Sequence, residues 1–228
     1  WALVIVAPCR RSSLIFSAPS RSCWYTGQYI RNHGVWANGV SLADTPNLLP
    51  HRLRELGYGT GLVGKLHITP AAASRQPEDG DYGFDRIHLT EGNRPGSYND
   101  WLAKNATPEQ RDRWSRGFPP ERPGDLYEPD ECPPEDLHAT RWVADRALQL
   151  IERSVQHHPL FLQISFPDPH HPFEAPERFL SMYSPDDMSE PVPAPEQWDA
   201  LPPHFAGHHD GRHPLFRGKQ QLHEFTPE

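Results

Sequence analysis

Buried-type strands alternating with amphipathic helices place this sequence in the α/β class, with a parallel sheet at its centre. Three observations carry that reading. Tyr58 to Lys65 is a short, glycine-bearing apolar run of the kind buried on both faces of a parallel sheet. Leu160 to Phe166 is a second strand by length and composition. The segment before each has apolar residues at helical spacing, and Lys65, His67 and His170 follow the strand ends, where open α/β folds bind their ligands.

The 228 residues suffice for one domain or at most two, and 36% hydrophobic with 11% aromatic residues is enough for one core. With 27 prolines and 16 glycines the chain is rich in loops but short of a low-complexity composition. A net charge of −8 argues against a nucleic-acid binder, and an anionic substrate would need basic residues gathered at its site. Cys9, Cys23 and Cys132 have no metal-binding spacing and leave one over from any pair, which favours a reducing compartment such as the cytoplasm over a disulfide framework. The apolar start, Trp1 to Val6, is too short to span a membrane and has no basic segment before it. Because the chain begins without Met, we read it as a fragment, and whether a targeting signal precedes it stays open.

Taken in order, residues 1 to 7 and 13 to 16 are apolar runs consistent with buried strand, interrupted by Pro8 to Ser12. In Ser17 to Gly27, Pro19 suits the first turn of a helix and Gly27 its end, which puts Ser17 just before a helix N-terminus. Unpaired N–H groups and the helix dipole make that an anion site, and Arg21, one turn on, adds a planar fork suited to tetrahedral oxyanions. Asp44 or Thr45 can cap a helix at Pro46 with Leu48, Leu49, Leu53 and Leu56 at helical spacing, ended by Gly57. If the chain stays extended past the strand, Lys65 and His67 lie two apart and face the same side. Residues 91 to 136 are polar and Pro-rich, with Trp101 and Trp114 in weakly helical stretches, and read as a loop-rich insertion. Asp136 can cap a helix running to about Val155, with Val143, Ala144, Ala147, Leu148 and Ile151 on one face. A short helix starts near Ala175, and 184 to 228 is a Pro- and His-rich tail. His208, His209, Asp210 and His213 in that tail read as solvated rather than as a metal cluster.

Ser17-Ala18-Pro19-Ser20-Arg21 followed by Thr26-Gly27 resembles the sulfatase signature, written with Cys or Ser first and then x-Pro-Ser-Arg-x-x-x-x-Thr-Gly. Gly57, Tyr58, Thr60, Gly64, Lys65 and His67 resemble the family's second signature, Gly-Tyr-x-Thr-x-x-x-Gly-Lys-x-His. Tyr29 to Val35, with His33, resembles the element after the nucleophile helix. Gly83-Phe84-Asp85 resembles a Gly-Phe-Asp turn, and Pro169-His170-His171-Pro172 an element that carries a substrate-contacting histidine, matched at His170. The likeness runs in order from about Ser17 to Asp187.

The resemblance implies an alkaline-phosphatase-like fold, a mostly parallel sheet with helices on both faces, here incomplete. It makes residues 1 to 228 one partial sulfatase catalytic domain that hydrolyses a sulfate monoester. In the family the first signature residue is oxidised to formylglycine by a maturase. Ser17 is therefore the expected nucleophile and a metal ligand. Arg21 and Lys65 would hold the diol and sulfate oxygens, His67 would take a proton, and His170 would contact the substrate. A divalent cation, usually Ca²⁺, is implied, with a small-molecule or glycan sulfate ester as substrate. Relatives with this signature also cleave phosphonate and phosphate esters, and a non-catalytic remnant is the third reading.

Overall fold

The computed structural model describes residues 17–70, 76–91, 96–115, 132–154, 159–170 and 175–189. The runs at 1 to 16, Cys9 and the histidine-rich tail lie outside them. The chain forms two compact units, Trp1–Asp112 with Pro133–Pro169, and Arg113–Cys132 with His170–Glu228.

In the first unit, α1 is Ser17–Thr26, and Gly27 ends it at φ 65°, its N–H bonding the Cys23 carbonyl at 2.8 Å. Ser17 is the first helical residue rather than the one before it, and the Ala18 N–H is taken by Asn38 Oδ1 at 3.0 Å. A single turn, α2 (Ile30–His33), closes on Gly34 at φ 75°.

The next helix, α3, is Leu49–Glu55, later and shorter than the Leu spacing suggests. Leu48 is its cap and lies buried, whereas Leu56 is 73% exposed. Asp44 caps nothing. Its carboxylate instead bonds the His51 ring at 2.7 Å and accepts the Tyr82 N–H at 2.8 Å.

The strands β1 (Gly59–Gly64), β2 (Arg86–Leu89) and β3 (Leu160–Ser165) form a parallel sheet in the order β2-β1-β3. Gly61 stands opposite Arg86 on one side and Leu162 on the other. The central strand β1 is buried from Thr60 onward, which is why it reads as one apolar run with no alternation. Leu62 packs with Ala18, Tyr25, Leu48, Phe84 and Ile87 on the face carrying α1 and α3. Gly61 and Val63 point to the other face, where Leu150 of α6 (Ala139–Ser154) closes on Gly61. Each fully buried Leu or Phe contributes about 1.5–3 kcal/mol.

The buried stripe of α6 is Trp142, Val143, Ala147 and Leu150, one step round from the stripe drawn from sequence, and Leu148 is 57% exposed. Asp136 does not cap this helix. The residue ahead of it is His138, whose Nδ1 accepts the Thr140 N–H at 3.2 Å. Ile164 is apolar in the middle of its strand yet 42% exposed, β3 being an edge of the described sheet. Phe161 and Leu162 are half-buried.

Among its described residues the 91–136 excursion holds two helices, α4 (Ser97–Asn105) and α5 (Pro108–Ser115). At the start of α5, Thr107 and Gln110 bond each other's N–H groups reciprocally at 2.8 and 3.2 Å, a capping box. In α4, Tyr98 is buried edge-on to Trp142, and its hydroxyl donates to the Leu137 carbonyl. The described part of the second unit holds α7 (Glu177–Leu180), where the Arg178 guanidinium lies over the Phe179 ring at 4.4 Å, and a 3-10 turn at Pro185–Asp187. Among the described residues no helix is long and apolar enough to cross a membrane.

Two stability predictions follow from this packing. Gly64 has φ 104°, and a Cβ there would run into the Ser165 carbonyl, whereas Gly27 at φ 65° has open space around it. Gly27→Ala should cost about 1 kcal/mol and Gly64→Ala about 3 kcal/mol or more, read from denaturant midpoints. Burial holds His138 below the ordinary imidazole value against the opposing pull of Asp168 and Glu135, so the unfolded chain takes up its proton first. The stability it contributes is complete above about pH 6.5 and is lost as pH falls from there toward the folded value. His138→Asn, which keeps a capping acceptor, should flatten that part of the melting-temperature profile.

Candidate active site

The C-terminal ends of β1 and β3 and the N-terminus of α1 meet at one edge of the first unit. Beyond β1 the chain leaves the extended path, because His67 has φ 51°, a left-handed conformation that histidine adopts more readily than most side chains. Lys65 and His67 are therefore not related by strand parity. It is the turn that carries the His67 ring to α1, where Nδ1 lies 2.7 Å from Ser17 Oγ. With the ring proton on Nε2, Nδ1 accepts the Ser17 hydroxyl.

Arg21 lies one turn along α1 from Ser17, on the same face. Its NH1 donates to the Lys65 carbonyl at 2.8 Å and its NH2 to Ser165 Oγ at 2.9 Å. The Lys65 N–H donates to the Ser165 carbonyl at 2.9 Å, so β1, β3 and α1 are tied at a single point. Lys65 is half-buried there. The structure thus brings Ser17, Arg21 and His67 together, with the Lys65 backbone among them. His170 belongs to the second unit, where it is exposed.

Behind the site, Tyr25 is buried with its hydroxyl 2.5 Å from Gln163 Oε1, and burial raises its pKa far above the ordinary tyrosine value. Tyr25 packs edge-on to Phe84, and Phe84 stacks with Phe161. His33 sits at the opposite end of α1, with Nε2 3.2 Å from Cys23 Sγ and Nδ1 accepting the Val35 N–H. Burial lowers its pKa. His33 therefore braces α1 at a distance from Ser17. Asp85 has the structural role its turn suggests, accepting the Thr60 N–H at 2.9 Å.

Two polar residues of this edge escaped sequence reasoning. Asn38 holds the first turn of α1, and Glu91 accepts the Leu66 and His67 N–H groups. Neither belongs to a readable motif. Their only signal is a position just beyond a helix or strand end.

A profile of the Sulfatase family matches residues 15–194, most of the chain and the whole of this edge. The chain belongs to the sulfatase family. A multifunctional alkaline phosphatase superfamily protein of Trinickia caryophylli is 32% identical over 77% of this chain and 36% of its own length. An arylsulfatase of Clostridium perfringens is 27% identical over 76% of this chain and 37% of its own. Among solved structures, the phosphonate monoester hydrolase of Agrobacterium radiobacter superposes with a TM-score of 0.54 at 28% identity, covering 76% of this chain and 35% of that one. The fold is alkaline-phosphatase-like, and the chain spans about a third of the length of the curated relatives it matches.

The sulfatase resemblance implies a hard cation, which takes about six to eight oxygens. Ser17 supplies one at most, and among the described residues no group of three or more His, Cys, Asp or Glu side chains could hold a metal ion. The described residues do not fit that group by themselves.

The Arg21 tie gives a direct prediction. A lysine cannot reproduce a planar fork that reaches two acceptors on different strands. Arg21→Lys should lower stability by about 1.5 kcal/mol and Ser165→Ala by about 1 kcal/mol in denaturant titrations, and unchanged midpoints in both would show that the tie contributes nothing.

Proposed function

We propose that this chain carries the nucleophile-bearing part of a sulfuric ester hydrolase, with Ser17 as the reacting residue. The observation that carries the reading is the 2.7 Å approach of His67 Nδ1 to Ser17 Oγ at a helix N-terminus on the C-terminal edge of a parallel sheet. Ser17 fits oxidation by a maturase to formylglycine, whose hydrate supplies one hydroxyl to attack sulfur and a second to expel sulfate.

His67 takes the proton from the hydroxyl it faces. Arg21 holds sulfate oxygens with the N–H groups left after its bonds to the Lys65 carbonyl and Ser165 Oγ, and Lys65 adds a second cation at the end of β1. His170 is assigned to the substrate side, as a contact to the ester oxygen or a proton donor to the leaving alcohol. Ca²⁺ is the cofactor that the family resemblance implies. The substrate class is a small-molecule or glycan sulfate ester. A phosphonate ester is the second reading, favoured by the likeness to the Agrobacterium radiobacter enzyme.

Turnover of paired aryl sulfate and aryl phosphonate substrates tests this, using this chain restored to the length of its sulfatase relatives, matured in cells that hold a Ser-type maturase and assayed with Ca²⁺. Sulfate should be preferred, and Ser17→Ala should abolish turnover. Lys65→Ala should lower the rate about a hundredfold, roughly 3 kcal/mol of transition-state stabilisation, with an unchanged melting temperature. Equal rates for wild type and Ser17→Ala would remove Ser17 as nucleophile. An intact Ser17 after co-expression with the maturase would support the non-catalytic reading.

A further inference from the structure

We propose that Glu91 is the positioning residue that aims His67 at Ser17. Nothing in the two signatures points to it. Glu91 follows β2 by two residues, and the Thr90 N–H bonds the Gly64 carbonyl at 3.0 Å, so the backbone at this point is fixed to the end of β1. From there a single carboxylate oxygen, Oε1, accepts the Leu66 N–H at 3.0 Å and the His67 N–H at 2.5 Å.

Two successive N–H groups converge on one anion only where the chain turns, and His67 at φ 51° supplies that turn. A left-handed residue with a side chain is strained and persists only where its surroundings hold it. The carboxylate is such a hold. Without it, the N–H groups of buried Leu66 and half-buried His67 lose their acceptor, and residue 67 can return to the extended region that the strand before it favours. The imidazole would then swing off the line to Ser17 Oγ. Glu91 thus acts on the reacting pair through the backbone of His67.

This inference rests on the reading of Ser17 and His67 as the reacting pair, but its test does not depend on turnover. The chain is labelled with ¹⁵N-histidine, and the ring-nitrogen shifts of His67 are read at one fixed pH with its nuclear Overhauser contacts to the Ser17 β protons. Glu91→Ala should lose those contacts and move the His67 ring shifts toward those of Ser17→Ala, while the amide signal of His88 in β2 stays in place. Glu91→Gln, which keeps a side-chain oxygen acceptor, should hold the wild-type His67 pattern. Wild-type His67 signals in a folded Glu91→Ala protein would overturn the proposal. Failure of both variants to fold would also overturn it, because the carboxylate would then serve stability and not aim. Absent sulfate-ester turnover would sink the functional reading above and leave this result standing.

Discussion

The guanidinium of Arg21 is the joint on which this architecture depends. One fork arm reaches the Lys65 carbonyl at the end of β1 and the other reaches Ser165 Oγ at the end of β3, while the residue itself stands one turn from Ser17. Burial of apolar surface presses a helix onto a sheet without fixing its direction, since the hydrophobic term is non-directional. Two directional bonds from a rigid planar group remove that freedom. The Tyr25, Phe84 and Phe161 contacts supply the adhesion, and the fork supplies the register.

Once α1 is fixed in this way, the rest of the edge follows from β1. Its glycines allow close approach: Gly61 admits Leu162 and Leu150, and Gly64 passes against the Ser165 carbonyl. That passage turns the chain out of the strand, and Glu91 and the left-handed His67 complete the bend. The site is therefore made where three parallel strands end, from a helix start, a strained turn and a carboxylate delivered by a third strand. Most of the polar atoms at this edge bind each other or the backbone. Preorganisation of this kind lowers the reorganisation needed when charge develops at a site.

Much of this was legible in the sequence where local chemistry and fold agree. β1 and β3 announced themselves as short apolar runs, and Pro19 and Gly27 bracketed α1. Ser17, Arg21, Lys65 and His67 stood out through the likeness to the two sulfatase signatures, and the fold brings Ser17, Arg21 and His67 together. What stayed hidden depended on tertiary partners. Asp44 looked like a cap but bonds His51 and Tyr82, which lie apart from it in sequence. Leu148 and Ile164 are apolar at plausible core positions, yet the turn of α6 and the edge position of β3 leave them exposed. His67 reached the predicted neighbourhood by a different route, a positive φ that no pattern of polar and apolar residues records. Asn38 and Glu91 sit beyond element ends, where only the folded chain reveals which N–H groups need an acceptor.

The central claim is that Ser17 is held as the precursor of the reacting group, and mass spectrometry of the peptide that carries it tests this most directly. The chain is produced with and without a Ser-type maturase, digested, and the Ser17 peptide is weighed before and after exposure to an aldehyde-reactive hydrazide. The account predicts a peptide lighter by two hydrogens that takes up the hydrazide only when the maturase is present. An intact serine at residue 17 under both conditions would contradict it.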